Sequence, residues 1–461
     1  MTPNSSDNVS LSINPANGET VSVWSFATAA ATENMLANAY RAASLWRRTP
    51  PVERAAVLRA LARELRTQKA RLAHTISLEM GKPIGEALAE VEKSAWNCEY
   101  VAEQGPGWLE DEVVATQASD SRVVFEPLGV VLSILPWNFP VWQVLRCVAG
   151  ALMGGNASLI KHAPNVQGCA NLLIDIGLAA GLPQGVFQNL HAPVDFIGGL
   201  IADRRIAAVT LTGSPGAGAK VAAQAGAACK KSVLELGGSD PFIVLADADL
   251  TAAVGAATRA RFANCGQVCL AAKRFLVEAP VAEEFCVRLA AAAASLRRGD
   301  PLLPDTQLGP LAREDLRAAV ARQVEASVQA GARLVTGGRQ PGGAGWYYEA
   351  TVLADVTPRM AAATEETFGP IAAVMTVASA EEAIAIANDS AFGLSAMLWT
   401  QDLALARRLT RELDAGSVFV NSMTASDPRL PVGGVKLSGY GRELGRHGVL
   451  ELCNLKTVWT A

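Results

Sequence analysis

The feature that most restricts the fold is an alternation of apolar runs and amphipathic segments from Gly129 onward. Residues 129–135, 157–161, 185–190, 207–212 and 232–236 are β-branched or apolar, and helix-patterned stretches at 141–153, 166–180 and 217–227 separate them. Strand–helix alternation of this kind implies a parallel sheet covered on both faces. A second alternating series begins near Pro241, with strands at 242–245 and 274–278 and helices at 250–262 and 281–296. Upstream, Val52, Ala55, Leu58, Leu61, Ala62 and Leu65 recur at helical spacing, and helical patterns run to about Gly105. Residues 113–116 and 122–125 read as a hairpin around Ala118-Ser119-Asp120, projecting between the larger units. The expected class is α/β.

At 461 residues the chain favours two or more domains. With 50% hydrophobic and 18% charged residues, disorder is not expected. The balance of 44 acidic and 40 basic residues gives no nucleic-acid footprint, although a local anion site stays open. The apolar stretch at 129–145 is short and broken by Pro136, Asn138 and Pro140, so no membrane span is expected. The eight cysteines are scattered through apolar segments, and residues 1–8 are polar without a leader pattern. Both point to reduced thiols and a cytoplasmic setting.

Two groups suggest chemistry. Cys269 lies in Asn264-Cys265-Gly266-Gln267-Val268-Cys269, and Glu235 in Leu234-Glu235-Leu236-Gly237-Gly238. A thiol can attack a carbonyl, and a carboxylate can activate the water that releases the thioester. The plain alternatives are a small buried hydrophobe for Cys269 and a structural carboxylate for Glu235. Gly213-Ser214-Pro215-Gly216-Ala217-Gly218 follows an apolar run and opens a helix, which suits either a phosphate or a tight turn. Lys161 closes another strand, as a ribose ligand or a solvated strand end. The four histidines, His74, His162, His191 and His447, lie in no metal-ligand motif, so no metal is expected.

Five segments then identify a resemblance over nearly the whole chain. They are Pro136-Trp137-Asn138-Phe139-Pro140, Leu234-Glu235-Leu236-Gly237-Gly238, Gly266-Gln267-Val268-Cys269, Glu366-Thr367-Phe368-Gly369-Pro370 and Pro431-Val432-Gly433-Gly434-Val435-Lys436-Leu437-Ser438-Gly439. In that order and spacing they resemble the NAD(P)-dependent aldehyde dehydrogenase superfamily. Within it, Lys161-His162-Ala163-Pro164-Asn165, Gly238-Ser239-Asp240-Pro241-Phe242 and Ser426-Asp427-Pro428-Arg429 resemble the bacterial succinate-semialdehyde dehydrogenases of the Sad/YneI type.

The resemblance implies two Rossmann-type parallel-sheet domains and a small β oligomerisation element. The coenzyme domain would take residues 1–110 and 127–236, the catalytic domain 237–440, and the oligomerisation element 111–126 and 441–461. It also implies that Cys269 is the nucleophile, Glu235 the base and Asn138 an oxyanion donor. Trp137, Lys161, Gly213, Ser214, Glu366 and Phe368 would line the NAD site. Many NAD-preferring relatives carry a glutamate where this chain has Pro164, so NAD is expected with NADP tolerated.

Arg146 and Ser426 would hold a substrate carboxylate, unless Arg146 pairs with an internal acid. A second arginine used by some succinate-semialdehyde dehydrogenases is Ala263 here. Cys265 is either a passive neighbour or a disulfide partner for Cys269. The expected assembly is a homodimer or homotetramer. Competing readings on the same residues are a thiol hydrolase, a coenzyme-A-acylating dehydrogenase and a silent dinucleotide-binding protein.

Overall fold

The first alternating series forms a six-stranded sheet in the computed structural model, which describes residues 8–461. The strand order is Gly439–Tyr440, Lys231–Glu235, Ile206–Thr212, Val130–Leu135, Ala157–His162, Phe187–Asn189. All neighbours are parallel except Gly439–Tyr440, which runs antiparallel along Lys231–Glu235. The chain steps outward from Val130–Leu135 to Ala157–His162, then returns to Ile206–Thr212 on the other side. The carboxyl ends of Val130–Leu135 and Ile206–Thr212 therefore flank the reversal point, where open α/β sheets bind ligands. Trp137, Asn138, Gly213 and Ser214 follow directly from those two ends.

The second series forms a seven-stranded sheet around the central strands Ala272–Glu278 and Asp240–Val244. Its core includes Phe242, Phe275 and Phe285, whose rings meet at centroid distances of 5.2–6.3 Å. A three-stranded antiparallel sheet joins Glu112–Val113, Asp120–Pro127 and Cys453–Thr460. The polar opening segment, residues 1–7, lies outside the described residues.

One element departs from the helical reading of the N-terminal region. Val9–Ile13 and Thr20–Ser25 form an antiparallel hairpin. Its alternation is weak because most of its side chains stay partly exposed. Specific polar contacts seat it: buried Ser12 accepts from Trp24 Nε1 at 2.9 Å and donates to Glu79 Oε1 at 2.7 Å.

Candidate active site

Cys269 sits in the loop between the short 3-10 turn Ala263–Gly266 and the strand Ala272–Glu278. Asn264, Cys265 and Gly266 adopt consecutive left-handed conformations, with φ of 50°, 54° and 74°. Such backbone persists only where neighbours over-determine it. Glu86 Oε2 accepts from Asn264 N at 2.7 Å, and Arg261 Nη2 donates to the carbonyls of Gly266 and Gly369 at 2.7 and 2.6 Å. A Cβ on Gly266 would lie 2.3 Å from the Gly369 carbonyl, so this motif glycine lets the loop meet the Glu366–Pro370 segment. Burial pushes the Cys269 thiol up to about 11, against the lowering influence of Arg146 and Lys273.

Asn138 is fixed from three directions. Its carbonyl accepts from Lys82 Nζ at 3.0 Å and Asn264 Nδ2 at 2.9 Å, and its own Nδ2 donates to the Gln267 carbonyl at 3.1 Å. An amide nitrogen carries two hydrogens, so the second can reach a developing oxyanion.

Glu235 ends the strand Lys231–Glu235 and is 3% exposed. Its Oε1 has no hydrogen-bond partner among the described residues, and its Oε2 lies 3.7 Å from Arg146 Nη2. Burial raises its proton affinity; Arg146 opposes that rise and Glu443 adds to it. A carboxylate tuned upward with one free oxygen suits a general base working near neutral pH. Arg146 itself is buried, its Nε pairs with Glu443 Oε2, and its Nη2 donates to Thr212 Oγ1 at 3.2 Å. The pairing with an internal acid thus occurs, and it occupies part of the guanidinium expected for substrate alone.

Two cavities meet at Cys269. The smaller, about 230 Å³, is walled by Trp137, Asn138, Gly213, Ser214, Glu366 and Phe368. The larger, about 640 Å³, includes Lys93, Trp142, Arg146, Arg259 and Ser426 in its wall. Cys269 and Gln143 line both.

The smaller cavity has the chemistry of a dinucleotide site. Ser214 caps the helix Pro215–Ala227, its Oγ accepting from Ala217 N at 3.3 Å, so the open helix end favours an anion. Trp137 and Phe368 meet edge-on with ring centroids 5.8 Å apart, giving an apolar corner. Glu366 Oε1 accepts from Lys273 Nζ at 3.0 Å and Gly238 N at 3.1 Å, and the same ammonium donates to the Cys269 carbonyl at 2.8 Å. One lysine thus ties the cavity wall to the thiol loop. Lys161 is buried at the end of its strand, and burial lowers its proton affinity. It lines neither cavity directly.

Sequence reasoning did not single out Lys93, Gln143, Lys273 or Glu443. Lys273 lies four residues after the thiol and could have been weighed with it; Glu443 follows the last motif. Lys93 and Gln143 carry no local signal. Cys265, 1% exposed, belongs to the core of the second sheet and lines neither cavity; both it and Cys269 are free thiols.

A half-buried thiol between a cavity fronted by an open helix end and a second, cation-walled cavity is the arrangement of a cofactor-linked carbonyl oxidoreductase. The sequence matches the aldehyde dehydrogenase family over residues 2–458, and the chain belongs to that family.

Its relatives include the Escherichia coli (strain K12) succinate semialdehyde dehydrogenase [NAD(P)+] Sad, 51% identical with 97% of each chain covered. The probable succinate-semialdehyde dehydrogenase [NADP(+)] of Synechocystis is 48% identical over 97% of this chain and 99% of its own. Among solved structures, the succinic semialdehyde dehydrogenase of Streptococcus pyogenes in complex with NADP+ superposes with a TM-score of 0.95, at 33% identity, covering 98% of this chain and 99% of that one.

Proposed function

We propose that this chain oxidises succinate semialdehyde to succinate with NAD, and with NADP as an alternative cofactor. The observation that carries the reading is the shared position of Cys269 on both cavity walls. Two relatives named as succinate-semialdehyde dehydrogenases support the substrate, and Arg146 and Ser426 on the larger cavity's wall fit a substrate that ends in a carboxylate.

Cys269 gives its proton to solvent in the cavity, and its sulfur attacks the aldehyde carbon. Asn138 Nδ2 and the Cys269 backbone N–H hold the resulting oxyanion. A bound nicotinamide nucleotide would supply the hydride acceptor needed to oxidise the thiohemiacetal to a thioester. Glu235 Oε1 then takes a proton from water, the hydroxide attacks the thioester carbon, and the C–S bond breaks to release the acid and the thiolate. Ser214 and Gly213 would hold the pyrophosphate, Lys161 the adenosine ribose, Glu366 the nicotinamide ribose, and Trp137 and Phe368 the nicotinamide face.

The three-stranded sheet leaves Val113, Leu455 and Trp459 exposed at 74%, 60% and 54%, which suits a homodimer or homotetramer built on it. Eight free cysteines suit the reducing cytoplasm.

The test is spectrophotometric. Succinate semialdehyde should give NADH or NADPH formation without coenzyme A, and more efficiently than butanal. A requirement for coenzyme A, or no nucleotide reduction with any aldehyde, overturns the reading.

A further inference from the structure

The larger cavity holds a cation that the family motifs do not point to. Lys93 lies on the helix Ile84–Trp108 and belongs to the wall that Cys269 and Arg146 also form. Its Nζ donates to Ser426 Oγ at 2.9 Å and rests 4.3 Å from the centroid of the Trp142 ring. Ser426 is itself 7% exposed and is the hydroxyl expected at the substrate carboxylate.

The acids around Lys93 are engaged elsewhere. Glu90 pairs with Lys82 and accepts from the backbone of Val141 and Trp142 at 2.9 and 3.0 Å. Asp427 is held by Arg429 at 2.7 and 2.9 Å. No carboxylate forms an ion pair with Lys93 among the described residues. Burial pulls its ammonium down to about 8; Arg146, on the same cavity wall, adds to that lowering, while Asp427, Glu90 and Cys269 oppose it. An anion between them relieves the repulsion and restores the charged form of Lys93.

We propose that Lys93 is the second cation of the substrate-carboxylate subsite, acting with Ser426 and Arg146. It supplies from the N-terminal helices the charge that Ala263 does not supply from the thiol loop. Glu443 and Thr212 engage Arg146 through Nε and Nη2, which leaves Nη1 as its one nitrogen without a partner among the described residues. The assignment makes Lys93 a specificity residue for short aldehydes with a distal carboxylate, and it rests on the substrate reading above.

The test uses the full-length enzyme and the variants Lys93→Met and Lys93→Arg, each assayed with succinate semialdehyde and with butanal. Loss of a charge-assisted contact raises KM for succinate semialdehyde about ten- to a hundredfold in Lys93→Met. KM for butanal changes far less, and Lys93→Arg recovers most of the loss. Inhibition by succinate weakens in parallel in Lys93→Met.

Equal effects on both aldehydes would make Lys93 a packing residue and overturn the proposal while leaving the substrate reading intact. A wild-type enzyme that does not prefer succinate semialdehyde over butanal would overturn both. Should Lys93→Met not fold, Lys93→Gln replaces it with the same criteria.

Discussion

Arg146 Nη2 lies 3.7 Å from Glu235 Oε2 while its Nε is paired with Glu443, so one buried guanidinium serves two carboxylates. All three side chains are nearly inaccessible. A buried acid pair without its cation holds protons more tightly, because burial and mutual repulsion both disfavour the charged forms.

Replacing Arg146 therefore does more than weaken substrate binding. Arg146→Ala should lower kcat with butanal as well as with succinate semialdehyde, since Glu235 loses the charge that keeps its proton affinity in check. Breaking a buried pair also costs about 3–5 kcal/mol of stability, visible as a lower unfolding midpoint. An unchanged kcat with butanal would restrict Arg146 to the substrate.

The thiol gives a pH signature. Its affinity for the proton is raised to about 11, so the thiolate fraction grows with pH throughout the neutral range. The rate of Cys269 alkylation by iodoacetamide in the nucleotide-free enzyme should climb about tenfold per pH unit from pH 6 to 9. A plateau below pH 8 would mean that Arg146 and Lys273 outweigh burial.

Nucleotide choice can be shifted at one position. Pro164 opens the turn Pro164–Val166 beyond the strand that carries Lys161. With the adenosine ribose beside Lys161, as proposed, Pro164→Glu would set a carboxylate against a 2′-phosphate. Its kcat/KM with NADP should fall about tenfold or more relative to NAD, the effect of one unfavourable charge contact. An unchanged ratio would place the adenosine ribose elsewhere.

Gly237 probes the link between the two halves of the site. A Cβ there would stand 2.3 Å from Glu366 Oε2, so Gly237→Ala must displace that carboxylate. The expected outcome is a rise of about tenfold in nucleotide KM. Unaltered nucleotide kinetics would detach Glu366 from the cofactor.

The residues that were legible in the sequence owe it to local backbone constraints. Cys269 and Glu235 stand out because they sit in glycine-bearing segments, and the structure shows what those glycines approach: Gly237 faces the Glu366 carboxylate and Gly266 the Gly369 carbonyl; Phe368 enters only through the family resemblance. The strands around Val130–Leu135 and Asp240–Val244 were legible because a sheet buried on both faces leaves continuous apolar runs. Lys93 was not, since its meaning arises from Ser426, more than 300 positions away in the chain. The same holds for Glu443, whose partner Arg146 lies on a different element. The N-terminal hairpin escaped because polar seating by Ser12 and Glu79, rather than an apolar stripe, holds it.

The acyl-enzyme on Cys269 is the most direct test of the whole account. Glu235→Gln, mixed with succinate semialdehyde and excess NAD, should release one equivalent of NADH per active site in a burst and then nearly stop. Mass spectrometry should find the peptide carrying Cys269 succinylated. A variant that turns over at the wild-type rate, or a burst that leaves Cys269 unmodified, would contradict it.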